Sequence, residues 1–387
     1  MNRQFLQSLF SRVAILFTAS GLLMPVSFAQ QGPQKAPPGK APGKAAGTEP
    51  KFKAIWEPVN VKEDLELMAV HFVSADEGWV AGGKNALNGG VILHTKDGGA
   101  TWEVQLGDPQ SSDRAYRDLR FLDARTGFAV QSTSGGDHKL LRTTDGQSWV
   151  PVGTVGQHRT DYQFVSAEVG FYTGRDQILR TSDGGRRWQA VFSCRVKAEV
   201  QGLTRDVPCE FSKMFFLNSN VGYAISIEIA RDGGFVVAKT TDGGTSWTPQ
   251  VVLPGENAKE GDLHFFDENN GVLRTIDGKL FRTTDGAHTW TGVTGQPEGK
   301  PEFEFADLEV GWMVRYRKMT YTGDAGKRWL SSTINFPAPV IASSLPARDR
   351  GYAAGEHGMV YRYRIVPIQY TSKGMLPAPM IAGPVPR

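Results

Sequence analysis

Six aspartates recur along the 387-residue chain in one local pattern, in which Thr-x-Asp is followed four or five residues later by Trp. Carboxylates could serve glycoside hydrolysis, which uses two of them about 5 to 10 Å apart. Each copy, however, belongs to its own repeat, and Gly follows five of the six. Asp accepts hydrogen bonds from backbone groups ahead of it, and Gly adopts the positive φ of tight turns. We therefore interpret as structural turn residues the pairs Asp97 and Trp102, Asp145 and Trp149, Asp183 and Trp188, Asp242 and Trp247, Asp285 and Trp290, and Asp324 and Trp329.

Other catalytic and metal-binding patterns do not stand out in the sequence. There is no Ser-His-Asp order, no His-Glu-x-x-His motif and no glycine-rich phosphate loop. The seven histidines have no metal-ligand spacing, and two cysteines cannot make a Cys₄ zinc site. The sequence therefore predicts a protein that is not an enzyme and has no metal, no cofactor and no small-molecule substrate.

The aspartate turns belong to a larger repeat, which indicates the fold. An apolar residue is followed six positions later by Gly, usually with an aromatic residue next. Each repeat divides into four short strands, with no helical pattern between repeats. Such units predict an all-β fold, a seven-bladed β-propeller of four-stranded blades, with six or eight blades as alternatives. The seven copies are Phe72 and Gly78, Phe121 and Gly127, Phe164 and Gly170, Phe216 and Gly222, Phe265 and Gly271, Phe305 and Gly311, and Leu345 and Gly351.

The seventh repeat lacks an aspartate turn and the Trp-containing strand that follows it. Residues 54–59, which include Trp56, are similar to the fourth-strand segments that begin at Trp149 and Trp247. We therefore predict that the N-terminal strand completes the last blade and holds the two ends of the propeller together.

The two ends of the chain differ from the repeated body, 55–364. Residues 1–29 combine arginines, a short apolar run and small residues ending at Ala29, which predicts a secretory signal peptide cleaved after that residue. Pro, Gly, Ala and Lys dominate 30–54, and Pro recurs in 365–387, so we expect a linker and a C-terminal tail. The protein would then work in a periplasm or, in a photosynthetic host, in the thylakoid lumen.

Charge is unevenly distributed along the chain. The net charge is +3 at pH 7, but the signal segment, the linker and the tail together carry +8, which leaves the body at −5. Nucleic-acid binding needs a basic surface that neutralises phosphates. The acidic body therefore argues against a nucleic-acid partner.

In a propeller, the loops between the second and third strands share one face with the connections to the next blade. Here these segments are irregular, and irregular loops on a rigid scaffold often carry binding sites. They span 84–90, 107–118, 132–139, 155–161, 193–210, 227–235, 254–262 and 315–319.

Arginines recur within these segments. Arg is enriched at protein interfaces and pairs with carboxylates through its planar fork, although ordinary solvated loop charges are the alternative for each residue. We predict a monomer that binds an acidic or C-terminal peptide of an exported or membrane protein. The predicted binding residues are Arg114, Arg117, Arg159, Arg195, Arg205, Arg231, Arg315, Arg317 and Lys318.

Cys194 and Cys209 bracket an insertion in the longest interval between repeats. In an oxidising compartment, closing a loop of about 15 residues with a disulfide could contribute roughly 3 kcal/mol to stability. We predict a disulfide that stiffens the connection between the third and fourth blades, with two free thiols as the alternative.

The aspartate turn is similar to the Asp-box of bacterial-neuraminidase (BNR) repeats. Together with seven copies of the strand pair, five of which read Phe-x₅-Gly-aromatic in full, residues 55–364 resemble the photosystem II assembly/stability factor family. The resemblance implies an exported seven-bladed propeller without an active site. It further implies a chaperone-like scaffold that grips lumenal parts of membrane proteins during assembly.

A carbohydrate-binding or glycoside-hydrolysing propeller, similar to the sialidases, is the rival function. Sialidases need an arginine cluster and a Tyr nucleophile, and their Phe-Arg-Ile-Pro signature is absent here. This alternative predicts exposed aromatic platforms on the loop face, where Tyr116 and Tyr316 are the evident tyrosines. A structural subunit of an envelope transport complex is a third possibility.

Overall fold

The computed structural model describes residues 52–367, apart from 86–87, 111–113, 134–137, 157–160, 175, 201, 228–233, 255–260, 294–301 and 308. The chain divides into two units, 1–49 and 50–387, and all described residues belong to the second. The predicted signal peptide, most of the linker and most of the tail therefore lie outside the described residues.

Five four-stranded antiparallel sheets follow one another along the chain, and strands are neighbours in each sheet in sequence order. Blade 1 contains β2 (Glu66–Phe72), β3 (Gly78–Gly83), β4 (Val91–Thr95) and β5 (Glu103–Gly107). Blade 2 contains β6 (Arg114–Phe121), β7 (Gly127–Thr133), β8 (His138–Thr143) and β9 (Val150–Thr154). Blade 3 contains β10 (Tyr162–Phe164), β11 (Gly170–Thr173), β12 (Gln177–Thr181) and β13 (Gln189–Ser193).

A separate hairpin, β14 (Arg195–Val200) and β15 (Leu203–Pro208), lies between blades 3 and 4 in the sequence. Blade 4 contains β16 (Phe211–Phe216), β17 (Gly222–Ser226), β18 (Phe235–Thr240) and β19 (Thr248–Val252). Blade 5 contains β20 (Gly261–Phe265), β21 (Gly271–Thr275), β22 (Leu280–Thr283) and β23 (Thr291–Gly292).

The sixth sheet contains two blades joined by continuous strands. Its members are β24 (Glu302–Phe305), β25 (Gly311–Thr322), β26 (Leu330–Ala347), β27 (Arg350–Gly355), β28 (Val360–Pro367) and β1 (Phe52–Pro58). The first part of β25 pairs with β24, and its second part pairs with β26. Between these parts Tyr316 has a φ of 48°, and Thr320 Oγ1 lies 3.5 Å from the Met313 carbonyl oxygen. β25 therefore reverses at Tyr316 and supplies two strands of blade 6.

The strand β26 connects blade 6 to blade 7. Its first residues pair with β25, and residues from Val340 onward pair with β27. β1 then pairs with β28 along its whole length, with Trp56 opposite Tyr363. The predicted seven blades and the closure of the last blade by the N-terminal strand are both confirmed.

The strand pairing that closes the propeller extends beyond the predicted limits of the repeated body, residues 55 and 364. Phe52 pairs with Pro367, so three residues on each side belong to the sheet rather than to the linker or the tail. The reason is that strand pairing uses backbone groups and continues through residues whose composition resembles a linker. At this seam Glu57 accepts hydrogen bonds from Arg362 at 3.1 Å and from the Arg364 Nε at 2.8 Å.

The Phe-x₅-Gly motif packs each blade internally. Phe72 lies directly opposite Gly78 across the β2–β3 pair, and its ring covers the glycine so closely that a Cβ there would be 2.3 Å from a ring carbon. The same arrangement occurs in blades 2 to 6. In blade 7 the aromatic cover of Gly351 comes instead from Trp312 of blade 6. Glycine is needed at these positions because the ring occupies the space of any side chain.

The aromatic residue that follows six of the seven motif glycines packs neighbouring blades together. Trp79 of blade 1 stacks on Phe121 of blade 2 with ring centroids 3.7 Å apart. The ring closes in the same way, since Tyr352 of blade 7 stacks on Phe72 of blade 1 at 3.4 Å. The other stacked pairs are Phe128 and Phe164, Phe171 and Phe216, and Tyr223 and Phe265. One repeated motif therefore builds both the blades and the contacts between them.

Candidate functional site

The six aspartate turns share one hydrogen-bonding pattern. In the first, the Thr95 hydroxyl donates to Asp97 Oδ1 at 2.8 Å and accepts from the Gly99 N–H at 2.8 Å. The Thr101 N–H donates to Asp97 Oδ1 at 2.8 Å. Equivalent bonds form around Asp145, Asp183, Asp242, Asp285 and Asp324. These carboxylates are acceptors within their own turns.

Hydrogen bonding keeps these carboxylates ionised. The Ser246 hydroxyl and N–H lower the pKa of Asp242 to about 2, and the Thr289 hydroxyl and N–H do the same for Asp285. A general acid in a glycosidase needs a raised pKa. Among the described carboxylates, every pKa that departs from its ordinary value is lowered. None of the turn carboxylates has the raised pKa that a general acid needs.

The tryptophan of each turn packs edge-on against the phenylalanine of its own blade. The ring centroids of Trp102 and Phe72 are 6.3 Å apart, and those of Trp149 and Phe121 are 5.7 Å apart. Trp188, Trp247, Trp290 and Trp329 make the same contact in their blades. The turn glycine also donates to the turn between the first two strands, as Gly98 does to Asp76 at 2.8 Å. Both turns of each blade therefore lie on one face, the Asp-turn face.

The opposite face, called the loop face below, contains the loops between second and third strands and the connections between blades. The Gly90 N–H donates to the Arg114 carbonyl at 2.9 Å, and the Val155 N–H donates to the His138 carbonyl at 3.1 Å. The Ile227 N–H makes the corresponding bond to Glu210 at 2.7 Å. These contacts group the two kinds of segment at the same end of the blades.

Two predicted cations on this face are not in loops. Arg114 and Arg117 belong to β6, so the predicted loop 107–118 is wrong in its second half. Strand pairing with β7 begins at Arg114, opposite Thr133, because the ladder uses backbone groups and does not depend on the side chains. Arg117 donates to His138 Nδ1 at 2.7 Å and lies 3.4 Å from Asp118, so its charge is already engaged.

The other predicted cations divide into two groups. Arg195 and Arg205 are exposed on the hairpin of β14 and β15, which replaces the irregular loop expected at 193–210. Arg317 and Lys318 are exposed in β25, directly after the reversal at Tyr316, where a loop was expected at 315–319. The expected irregular loop at 193–210 is wrong because its alternating side chains allow two strands to pair. At 315–319 the chain does reverse, as expected, but it does so within β25 and without an irregular loop. Arg159, Arg231 and the Arg315 side chain lie outside the described residues.

Cys194 and Cys209 are joined by a disulfide at the base of the hairpin, with their Cα atoms 5.2 Å apart. Both are buried in an apolar cluster that includes Phe211. Val196 and Val207, the first residues of the hairpin that face inward, pack against the same cluster. The hairpin is therefore anchored at its base by a covalent bond and by apolar contacts.

Exposed apolar side chains accompany the cations on the loop face. Tyr316 is 67% exposed, and Leu203, at the tip of the hairpin, is 57% exposed. Tyr116, the other tyrosine considered as a platform, is only 1% exposed and packs among core residues that include Trp79 and Leu119. Its ring packs over Gly90 and Gly107 of blade 1, where a Cβ would lie about 3 Å from the ring. Tyr116 cannot be a binding platform.

The innermost strands of all seven blades line a central channel of about 810 Å³. Asp161 is 8% exposed there and accepts hydrogen bonds from the Arg120 Nη2 of blade 2 and the Met214 N–H of blade 4, both at 3.0 Å. Gln163 accepts from the Phe216 N–H at 2.9 Å. Asp161 and Gln163 were not among the predicted site residues. They lie two residues apart just before the motif residue Phe164, and this spacing could have placed them at an innermost strand.

The channel histidines are neutral. Burial lowers the pKa of His71 and of His264 to about 4 in each case. In the part of the chain that the structure describes, no three metal-binding side chains come together. The described residues also contain no helix with the length and apolarity needed to cross a membrane. The hydrogen bonds of Asp161 and Gln163 link blade 3 to its neighbours.

No family model matches the chain. It is 23% identical to the photosystem II assembly protein Ycf48 of Thermosynechococcus vestitus over 80% of this chain and 84% of that protein. It is 24% identical to the photosystem II stability/assembly factor HCF136 of Arabidopsis thaliana, over 80% of this chain and 79% of that one.

Solved structures share the fold. A structure described as YCF48 bound to D1 peptide has a TM-score of 0.57 at 18% identity, covering 80% of this chain and 96% of that chain. YCF48 from Cyanidioschyzon merolae has a TM-score of 0.58 at 17% identity, covering 80% and 98%. A GH74 xyloglucanase from Xanthomonas campestris reaches 0.51 at 13% identity, covering 79% and 53%. Sequence and fold together make this chain a seven-bladed β-propeller similar to the photosystem II assembly and stability factors.

Proposed function

We propose that the protein is a non-catalytic, exported propeller that holds a segment of an exported or membrane protein on its loop face. The observation that carries this proposal is the pairing of exposed apolar side chains with cations on that face. Tyr316 is followed directly by exposed Arg317 and Lys318, and Leu203 shares a hairpin with exposed Arg205. An aromatic or aliphatic anchor beside arginine is the composition of protein-binding hot spots.

Two further observations support a protein partner. The similar proteins Ycf48 and HCF136 are named as photosystem II assembly or stability factors, and one solved propeller of this kind has a D1 peptide bound. The loop-face cations favour an acidic segment or a C-terminal carboxylate, because Arg and Lys pair with carboxylates. We extend this role to the present chain as an assembly scaffold in a periplasm or thylakoid lumen, after removal of the signal peptide.

The rival carbohydrate function has less support. The fold similarity to a xyloglucanase at 13% identity concerns the fold alone. A sugar platform would need aromatic side chains exposed together, whereas Tyr116 is buried and Tyr316 is flanked by cations. The lowered pKa values of the turn carboxylates also favour a non-catalytic protein.

Reversing three loop-face charges tests the proposal. The triple variant Arg205→Glu, Arg317→Glu and Lys318→Glu should capture at least about tenfold less of its protein partner from solubilised cell envelope, since each change replaces attraction by repulsion. Capture on the immobilised mature protein, with identification by mass spectrometry, measures this.

The matched control reverses three exposed cations of the Asp-turn face: Lys96→Glu, Arg187→Glu and Lys327→Glu. It makes the same change in net charge and should leave capture within about twofold of the original protein, because distant exposed charges are screened. Equal losses in both triple variants would mean that net charge, not the loop face, controls binding. Unchanged capture by the loop-face variant would refute the proposal.

A further inference from the structure

The hairpin β14–β15 is a two-stranded sheet of its own, and none of the described strands of the blades pairs with it. An isolated two-stranded ribbon is only marginally stable in water. Here the buried Cys194–Cys209 disulfide closes its base, and Val196 and Val207 pack on the core between blades 3 and 4. The anchored ribbon therefore projects from the loop face with its outer part exposed, as the 57% exposure of Leu203 indicates.

The pairing register determines which backbone groups point away from the ribbon. The Cys209 N–H donates to the Cys194 carbonyl at 3.1 Å, in the same register that pairs Arg195 with Pro208 and Lys197 with Asp206. Hydrogen-bonded and non-hydrogen-bonded pairs alternate in an antiparallel ladder. The backbone groups that point outward therefore belong to residues 195, 197 and 199 of β14 and to residues 204, 206 and 208 of β15.

The outer edge of β15 is closed to a further strand. Pro208 has no N–H to donate, which also agrees with its place at a non-hydrogen-bonded position. The Asp206 carbonyl already accepts a hydrogen bond from Arg195 Nη2 at 3.0 Å. Of the three outward-pointing residues of β15, Asp206 and Pro208 therefore cannot make the full set of backbone hydrogen bonds to a further strand.

The outer edge of β14 is different. Within the described parts of the chain, no other element forms a hydrogen bond with the backbone of Arg195, Lys197 or Glu199. The Arg195 and Lys197 side chains are exposed and, being two residues apart in a strand, lie on the same face of the ribbon. This edge thus combines outward backbone donors and acceptors with the Lys197 cation, while the Arg195 guanidinium reaches across the ribbon to the Asp206 carbonyl.

We infer that β14 accepts an extended, acidic segment of the partner protein as a third strand of this hairpin. The inference rests on the proposed function and specifies one part of the partner. Strand addition supplies affinity through backbone hydrogen bonds, while alternate side chains supply specificity. A side chain on the same face of the added strand would lie beside Lys197, which selects Asp or Glu at that position.

Two proline variants at paired positions separate the two edges. Glu199 and Thr204 face each other in the register, and each N–H points outward, so proline removes one outward donor without breaking the hairpin ladder. The probe is a fluorescein-labelled twelve-residue peptide of alternating Glu and Thr, with fluorescence anisotropy as the readout. Glu199→Pro should weaken binding about tenfold, the effect of one lost hydrogen bond, whereas Thr204→Pro should change it less than about twofold.

The direction of the first effect is informative because Glu199→Pro also removes a negative charge, which alone would favour an acidic peptide. Lys197→Glu should weaken binding about tenfold through charge repulsion. A copy of the peptide N-methylated at every second residue should bind the unaltered protein about tenfold more weakly, since it lacks half of its backbone donors. This last comparison needs no protein variant and remains valid if a proline variant fails to fold.

Two results would overturn the inference: equal weakening by the two proline variants, or no binding of the Glu-Thr peptide by the unaltered protein. If the unaltered protein does not bind the Glu-Thr peptide but the loop-face triple variant still loses partner capture, the strand-addition site is refuted and the proposed function stands. No binding of the Glu-Thr peptide together with unchanged partner capture by the loop-face triple variant would refute the strand-addition site and the proposed function alike.

Discussion

A Trp56→Ala variant is expected to unfold with a free energy about 3 kcal/mol lower than the original protein, the usual effect of removing a large aromatic side chain from a packed site. Trp56 lies in the strand that closes the propeller, and its ring packs 5.1 Å from those of Trp312 and Phe336 and 5.3 Å from that of Tyr363. These contacts join the first strand of the chain to both blade 6 and blade 7. Urea unfolding followed by tryptophan fluorescence and circular dichroism measures the change.

The control is Lys53→Ala in the same strand. Lys53 is exposed and pairs with Val366 only through the backbone, so its replacement should change the unfolding free energy by less than about 0.5 kcal/mol. Similar stability of the Trp56→Ala variant and the original protein would mean that β1 does not hold the ring closed.

An Asp161→Ala variant should lose about 2 kcal/mol of unfolding free energy. The Asp161 carboxylate is the shared acceptor for Arg120 in blade 2 and for the Met214 N–H in blade 4. Its removal leaves the buried N–H without an acceptor, which costs about 1 to 3 kcal/mol. The Arg120 side chain is 45% exposed and can regain water, so the loss of this ion pair adds little.

Asp161→Asn is the conservative counterpart, because the amide oxygen can still accept one of the two hydrogen bonds. We expect it to retain about half of the stability that Asp161→Ala loses. The same urea titration compares the two, and a loss below about 0.5 kcal/mol in Asp161→Ala would show that this carboxylate does not link the three blades.

The repeats made the architecture predictable. Phe72 and Gly78 are separated by one turn and face each other across two strands, so their spacing in the sequence reports a pairing in the sheet. The missing strand of the seventh repeat likewise predicted the position of Trp56 opposite Tyr363. Both inferences depended on a local pattern that every four-stranded blade repeats. Once the strands of one repeat were assigned correctly, the same assignment applied to the other repeats.

The binding face was less predictable, because loop and strand differ there by backbone pairing rather than by composition. The segment 193–210 contains the alternating Val196, Ala198, Val207 pattern of a ribbon, yet its length and polar residues suggested an irregular loop. The reversal at Tyr316 needs so few residues that two strands follow each other without a loop. The sequence also could not indicate that Tyr116 faces the core, since both faces of a blade contact neighbouring blades.

According to the proposed function, the loop face binds a protein partner. Site-specific photocrosslinking in cells that produce the protein is the most direct test. A benzoylphenylalanine at position 316 replaces the exposed tyrosine beside Arg317 and Lys318, and one at position 321 replaces an exposed tyrosine at the Asp-turn end of the same strand. The two sites are matched in residue type and element but lie on opposite faces. We expect a protein adduct from position 316 and only background from position 321. Equal adducts from both positions, or an adduct from position 321 alone, would contradict the assignment of binding to the loop face.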